Sequence, residues 1–505
     1  MKRTLSFVLC LAFIFSMFGS VLVGTAGAAA YKDLPANHWA VNEISYMSEK
    51  AVLQGYLGNF RPGDPVTKAE FIKIENYTFG LKNTSNQAFA DVSPSKWYYT
   101  DIMKAAANGY LTTKGNFVYP DAPLTREEAC ALIMRYLGVK PRSSYSTFSD
   151  AGQISGEYLP YVIAATESNI IKGYPDNTFR PKNTITRAEA STVFYRMAGT
   201  IYMSSSFGTD PGANPANAVI NTAGITITGA NLFGTVYVTE GCENGTITLR
   251  NCNIPTGTLR IRGAATVILE NCTINKVEVE TSSGNGSTII ASGATNVNAL
   301  EARTTTTLKN NTTGGNYGFG NVFSNMSPFS TLTLDGKFPS VEVGTPNTTI
   351  ALLNRDTVIE NLAVRQGASN TKLTGSGTVK MANIAAPGAD FSMVPEKYNI
   401  GAGLYAMFAG VKYTGSGAEN VQAKFYIVND TLEIRSLNSA SGVFYYVIVA
   451  NNAPAPTAEQ VIAGVAYGAT PVLHSGYIVQ AANVEGVVTT AALPVNTNYD
   501  LYYYF

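Results

Sequence analysis

The stretch "ITRAE", Ile185 to Glu189, decides how the first third of the chain is read. It returns as "LTREE" at Leu124 to Glu128 and as "VTKAE" at Val66 to Glu70, so the threonines at 67, 125 and 186 stand 58 and 61 residues apart. Thr-x-x-Glu is a capping box, in which the threonine side chain accepts from the backbone N–H three residues on and the glutamate reaches back. Apolar residues follow at helical spacing: Phe71 and Ile74; Ala129, Leu132, Ile133, Tyr136 and Leu137; Ala190, Val193, Phe194 and Met197. Each motif therefore starts a helix. Capping leaves one feature over, the cation at the first helical position: Lys68, Arg126 and Arg187. A helix N-terminus disfavours positive charge. Three cations there point to an anion nearby, or to a structural salt bridge between repeats.

The rest of each repeat matches in order. An aspartate follows an aromatic in "YKD" (Asp33), "FAD" (Asp91) and "FSD" (Asp150). Trp39 and Trp97 come six residues later, and Tyr158 takes that place eight residues on in the third copy. Turns follow, "GYLGNFRP" at 55–62 and "GYPDNTFRP" at 173–181, the latter opening on Gly173 and Tyr174. The second copy departs, with Thr113 where the glycine is expected.

Together these residues resemble the S-layer homology domain in three tandem copies, over 31–84, 85–142 and 143–202. The resemblance implies an α-helical pseudo-trimeric prism with grooves between neighbouring repeats. It also implies binding to secondary cell-wall polysaccharide, commonly pyruvylated, in Gram-positive-type bacteria. The glycan-binding residues it implies are Asp33, Trp39, Lys68, Asp91, Trp97, Arg126, Asp150, Tyr158, Gly173, Tyr174 and Arg187. The residues themselves agree: a ketal carboxylate is an anion that arginine can hold bidentately, and sugar rings stack on aromatics. Trp39 and Trp97 read equally well as core residues. The copies are unequal, because Lys68 lacks the guanidinium fork and the second turn differs, so at least one groove is expected to be weak or silent.

Composition sets further bounds. The chain has 505 residues, enough for several domains. Its 35 basic and 35 acidic residues balance, so no net charge draws it to nucleic acid or a membrane surface. Residues 1–30 read as a secretory signal: Lys2 and Arg3, an apolar run containing Cys10, and small residues at Ala28–Ala30. No later segment is apolar enough to span a bilayer, so no membrane association is expected once the signal is removed. The four remaining cysteines, Cys130, Cys242, Cys252 and Cys272, are too few for a disulfide scaffold. Only His38 and His474 could serve as a histidine base, and neither has a nucleophile motif or zinc spacing beside it. No cofactor is indicated, calcium included.

Residues 203–217 read as a linker rich in Gly, Pro, Ser and Asn. From 218 to 392 short alternating pairs take over, "ITIT", "TVYV", "TITL", "TVIL", and "LRNCNI" at 249–254 returns as "LENCTI" at 269–274, a step of 20. That rhythm predicts a β-solenoid, a right-handed parallel β-helix, with Cys252 stacked over Cys272 and Asn251 over Asn271. Stacked free thiols are favoured over a disulfide there. Parallel β-helices include polysaccharide lyases and hydrolases, yet no aspartate cluster with ligand spacing occurs, and Arg260 and Arg262 are expected to face outwards or bracket an edge. The middle therefore reads as a non-enzymatic spacer.

From 395 to 505 longer aromatic strands predict an antiparallel β-sandwich, with a short helix capped by Thr457 and Gln460. The segment 493–505 resembles the tyrosine corner of fibronectin type III domains, through Tyr499. That domain type has one more strand, so an open edge is expected, filled by a neighbouring molecule or by 397–415 from within. The whole reads as a secreted S-layer or S-layer-associated protein, with possible lattice self-assembly. The alternatives are an anchored enzyme or carbohydrate-binding protein acting on extracellular polysaccharide, and an adhesin.

Overall fold

A computed structural model describes residues 31–208, 217–282, 285–313, 318–415, 422–428, 431–437, 442–480, 486–490 and 499–504. The signal segment 1–30, the linker stretch 209–216 and the tyrosine-corner stretch 493–498 lie outside the described residues. Two units divide near Leu300.

Among the described residues the first unit opens with six α-helices, two per repeat: α1 (Val41–Glu49), α2 (Lys68–Phe79), α3 (Tyr99–Ala107), α4 (Arg126–Leu137), α5 (Leu159–Glu167) and α6 (Arg187–Ala198). The long helices α2, α4 and α6 each begin with a complete capping box at Thr67, Thr125 and Thr186. They are buried around most of their circumference, as in α4, where Ala129 to Met134 are all buried, and so form the centre of the prism. Phe71 meets Phe194 at 4.8 Å and Phe79 meets Tyr136 at 4.2 Å between ring centroids. The residue before each cap closes a ring of backbone hydrogen bonds. Val66 donates to Ile185, Ile185 to Leu124, and Leu124 back to Val66, at 3.0, 2.9 and 2.8 Å. Each repeat is thereby tied to both others.

The solenoid begins earlier than expected. Strand Thr200–Tyr202 pairs in parallel with Ala218–Ile220, so the end of the third repeat and part of the linker already belong to the first coil. One ladder continues through Thr235–Val238, Asn253–Ile261 and Thr273–Val279. The other runs through Ile225–Thr228, Thr246–Arg250, Thr266–Glu270 and Ser287–Gly293. Ile254 pairs with Ile274, the step of 20 seen in the sequence, and the register sets Cys252 over Cys272. Both thiols are free and buried. Asn251 and Asn271 turn the corner at φ 52° and 53°, a left-handed conformation that asparagine tolerates. Alternate strand residues point inwards, so Ile247, Val267 and Ile289 stack into the core.

Arg260 and Arg262 do not face outwards. Their shared strand face lies against the C-terminus of α4, where Arg260 donates to the Leu137 carbonyl and Arg262 to the Tyr136 carbonyl, both at 2.6 Å. A helix C-terminus leaves its last carbonyls unpaired and carries partial negative charge, and these two guanidinium groups answer both. Tyr136 returns the contact by donating to Glu240 at 2.7 Å.

The second unit carries further coils, with ladders Phe319–Ser324, Lys337–Val343, Val358–Val364, Thr378–Ile384 and Lys397–Ile400 on one side. Thr331–Asp335, Thr349–Leu352, Lys372–Gly375, Ala389–Phe391 and Tyr405–Phe408 form the other, closed by the antiparallel strand Val411–Thr414. Residues 397–414 are thus the last coil of the solenoid, and among the described residues none of their strands pairs with the C-terminal sheets. Two three-stranded antiparallel sheets follow among the described residues. One has Thr431–Leu437 between Gln422–Val428 and Gly486–Thr489; the other has Gly442–Ala450 between Val472–Gln480 and Tyr499–Tyr504. Ile434 from the first and Phe444, Tyr446, Ile448 and Ile478 from the second share a core. The short helix α7 (Ala458–Ala463) carries the expected capping box of Thr457 and Gln460. Among the described residues no helix is long and apolar enough to cross a membrane.

Candidate functional site

The cations at the first helical positions reach across to the next repeat, in a cycle. Lys68 of the first repeat donates to the Val118 carbonyl of the second at 3.0 Å, and more distantly to Thr112 at 3.4 Å. Arg126 of the second donates to the Phe179 and Lys172 carbonyls of the third, both at 2.9 Å. Arg187 of the third returns to Phe60 and Gln54 of the first, at 2.8 and 2.9 Å. All three are buried. Arg126 also pairs with Glu189 at 3.0 Å and stacks 4.7 Å from the Tyr174 ring centroid. The helix starts are closed in the same way. Arg126 and Glu127 donate their N–H groups to Asn183 and Pro181, and the equivalent residues of α2 and α6 do likewise with Ala122 and Pro120, and with Asp64 and Pro62. The charge at the first position is therefore answered by backbone carbonyls of a neighbour. Burial lowers the pKa of Lys68 and of Arg187 below the usual range, with Glu128 and Glu70 respectively opposing the shift.

Asp33, Asp91 and Asp150 hold the turns of their own repeats. Asp33 accepts from the N–H groups of Phe60 and Arg61, Asp91 from Val118 and Tyr119, and Asp150 from Phe179 and Arg180, all between 2.6 and 2.9 Å. The second residue of each pair has φ between 56° and 58°, a strained left-handed state for a residue with a side chain. Two hydrogen bonds to a carboxylate stabilise it. Desolvation would raise the Asp33 pKa, but the Phe60 and Arg61 donors bring it below the ordinary aspartate value. Gly173 has its own packing reason: a Cβ there would lie 2.2 Å from Phe148, as one at Gly55 would lie 2.4 Å from Tyr31.

Three grooves result, and each draws on all three repeats. One contains Arg187, Gln54, Glu70 and Trp97, in about 420 Å³. Another contains Arg126, Gly173, Tyr174, Glu189 and Trp39, in about 530 Å³. The third contains Lys68, Thr113, Glu128 and Tyr158, in about 220 Å³. Each thus combines a cation from one repeat, the turn and capping glutamate of the next, and the aromatic of the remaining one. The expected aromatics and cations meet here, whereas the aspartates stand behind the turns. Trp39 and Trp97 are 61% and 55% exposed, so they are not core residues. Tyr158 is buried, and its phenol is pushed up to about 12 by desolvation and by Glu128. The third groove is the smallest of the three; Tyr158 offers it no open face, and its exposed aromatic is Tyr119, 47% exposed.

Sequence reasoning passed over Lys73, Tyr77 and Arg196, which line the two larger grooves. The signal was available: Lys73 and Tyr77 stand four apart and exposed on a helix otherwise largely buried.

Residues 30–72, 88–130 and 147–191 match the S-layer homology domain, so the chain carries three copies of it. The surface-layer 125 kDa protein of Lysinibacillus sphaericus is 27% identical over 187 residues, covering 36% of this chain and 16% of that protein. The S-layer protein sap of Bacillus anthracis is 28% identical over 180 residues, covering 34% and 22% respectively. The amylopullulanase of Thermoanaerobacterium thermosulfurigenes is 30% identical over 172 residues, covering 33% and 9%. The chain spans less than a quarter of the length of each of these relatives.

Proposed function

We propose that this chain is a secreted, non-enzymatic surface protein. Its three S-layer homology domains hold it, without a covalent bond, on an acidic secondary cell-wall polysaccharide of a Gram-positive-type cell. The glycan is pyruvylated, and the remainder of the molecule is displayed as an S-layer or S-layer-associated subunit able to self-associate. One observation carries the reading: three matched repeats bring a cation and an aromatic into each shared groove, with Trp39 and Trp97 open to solvent in the two larger ones. A wet aromatic face beside positive charge suits a sugar ring bearing a carboxylate.

The solenoid's role as a spacer is supported by how its carboxylates are paired. Glu270, Glu278, Glu342 and Glu360 each form an ion pair with an arginine or lysine of an adjacent coil. A fibronectin type III-like sandwich at the C-terminal end is supported by the two strand orders and the shared core.

The test is sedimentation of the secreted chain with purified cell walls before and after extraction of the polymer. Retention only on walls that keep the polymer is expected; equal binding to stripped walls would end the reading. Relatives named amylopullulanase and exoglucanase favour a second reading, an anchored protein that degrades or binds polysaccharide. New unsaturated ends appearing in acidic polysaccharide incubated with the chain would support a lyase of that kind.

A further inference from the structure

If the grooves seat an acidic glycan, the group that meets the acid is still unassigned, because the cations at the first helical positions already hold carbonyls. Four other cations line the grooves without holding a carbonyl through their side chains among the described residues, Lys73, Arg196, Lys114 and Lys172, and the first two stand on the long helices. Lys73, at the sixth position of α2, places its ammonium 5.4 Å from the Trp97 ring centroid and 6.0 Å from that of Tyr77. All three side chains are exposed and line the groove of Arg187. Among the described residues the Lys73 ammonium has no hydrogen bond or ion pair, so its donors are free for a ligand lying against the two rings. Arg196, at the tenth position of α6, lines the groove of Trp39 and Tyr174. It is half-buried, and its guanidinium makes no hydrogen bond among the described residues; burial lowers its pKa, opposed by the charge of Glu43. A partly buried cation without a close partner is costly, and an arriving anion offsets that cost.

The third groove has no counterpart on its long helix. The sixth and tenth positions of α4 are Ala131 and Arg135. Arg135 is already committed, donating to the Tyr161 hydroxyl and the Leu111 carbonyl and stacking 5.2 Å from the Tyr161 centroid. Lys114 stands exposed on the turn at that groove, as Lys172 does at the groove of Trp39.

We infer that Lys73 and Arg196 are the residues that bind the acid group of the wall glycan, one in each of the two larger grooves. The ligand class is a saccharide unit bearing a carboxylate, stacked on Trp97 with Tyr77 in one groove and on Trp39 in the other. This inference rests on the proposed glycan function.

The experiment measures binding of the full secreted chain to purified, polymer-bearing walls across a range of NaCl concentrations. The variants are Lys73→Met, Arg196→Met, the double variant, Lys73→Arg and Lys114→Met. Methionine keeps an apolar stem and removes the charge. Each charge removal should weaken binding about ten-fold, the scale of one hydrogen bond to a charged group. The double variant should lose most of the salt dependence, since that dependence reports screened charge pairs. Lys73→Arg should retain binding, and Lys114→Met, at the smallest groove, should weaken it less than either charge removal. Unchanged affinity and salt slope in the double variant would overturn the inference while leaving the glycan function standing. If the unmodified chain itself ignores the polymer, the underlying function is what fails. Lys73 is exposed, so its variant keeps the test decisive even if Arg196→Met perturbs folding.

Discussion

Replacing Arg126 by methionine tests whether the first-position cations are clasps between repeats. The guanidinium makes two hydrogen bonds to carbonyls at 2.9 Å and one to Glu189 at 3.0 Å, from a side chain only 5% exposed. Methionine restores none of these donors. The Phe179 and Lys172 carbonyls lose a partner, while Glu189 keeps its bond from the Tyr174 hydroxyl at 2.6 Å. Breaking a buried, hydrogen-bonded charge pair costs about 3–5 kcal/mol. Both tryptophans of the chain lie in the prism, so tryptophan fluorescence, excited beyond the tyrosine absorption band, follows that part alone during urea unfolding. With a slope of about 2–3 kcal/mol per molar, the midpoint should fall by roughly 1–2 M. Lys68→Met, which removes one good and one long bond, should cost less, about 1–2 kcal/mol. A midpoint for Arg126→Met within error of the unmodified chain, together with lost wall retention, would refute the clasp and return Arg126 to the ligand.

Two other outcomes follow from burial. Glu75 is fully buried with no hydrogen-bond partner among the described residues, and desolvation raises its pKa well above the usual range although Arg262 opposes it. A raised acid binds its proton more tightly in the folded state. Its contribution is therefore complete below the ordinary value of 4.5 and declines as pH rises towards the folded value. Glu75→Gln should stabilise the prism at neutral pH and flatten that decline; an unchanged pH slope in urea titrations would contradict it. The thiols of Cys130 and Cys242 are pushed up to about 12 by burial, and Cys252 and Cys272 are equally enclosed. Ellman's reagent should modify none of the four until the chain is denatured, and prompt labelling of the native protein would count against this packing.

Local chemistry made much of the architecture legible. The capping boxes at Thr67, Thr125, Thr186 and Thr457 stand where the sequence placed them, because a cap depends on residues three apart. The 20-residue step from Cys252 to Cys272 carried the coil register, because stacked strands repeat their inward residues. The fate of Lys68, Arg126 and Arg187 was less legible. A sequence shows that a cation sits at a helix start, but not that a carbonyl more than forty residues away arrives to meet it. Arg260 and Arg262 were misread for the same reason: alternation puts them on one face, and only the fold brings the end of α4 against that face. Trp39 and Trp97 could be placed on either side of the surface until the packing of three copies was known.

The cycle of backbone hydrogen bonds among Val66, Ile185 and Leu124 makes the order of the copies along the chain immaterial to the geometry they build. A circularly permuted version, cut between the first two copies and rejoined elsewhere, would keep every seam. A version with one copy deleted would leave two torn rims that no rearrangement of the survivors could mend.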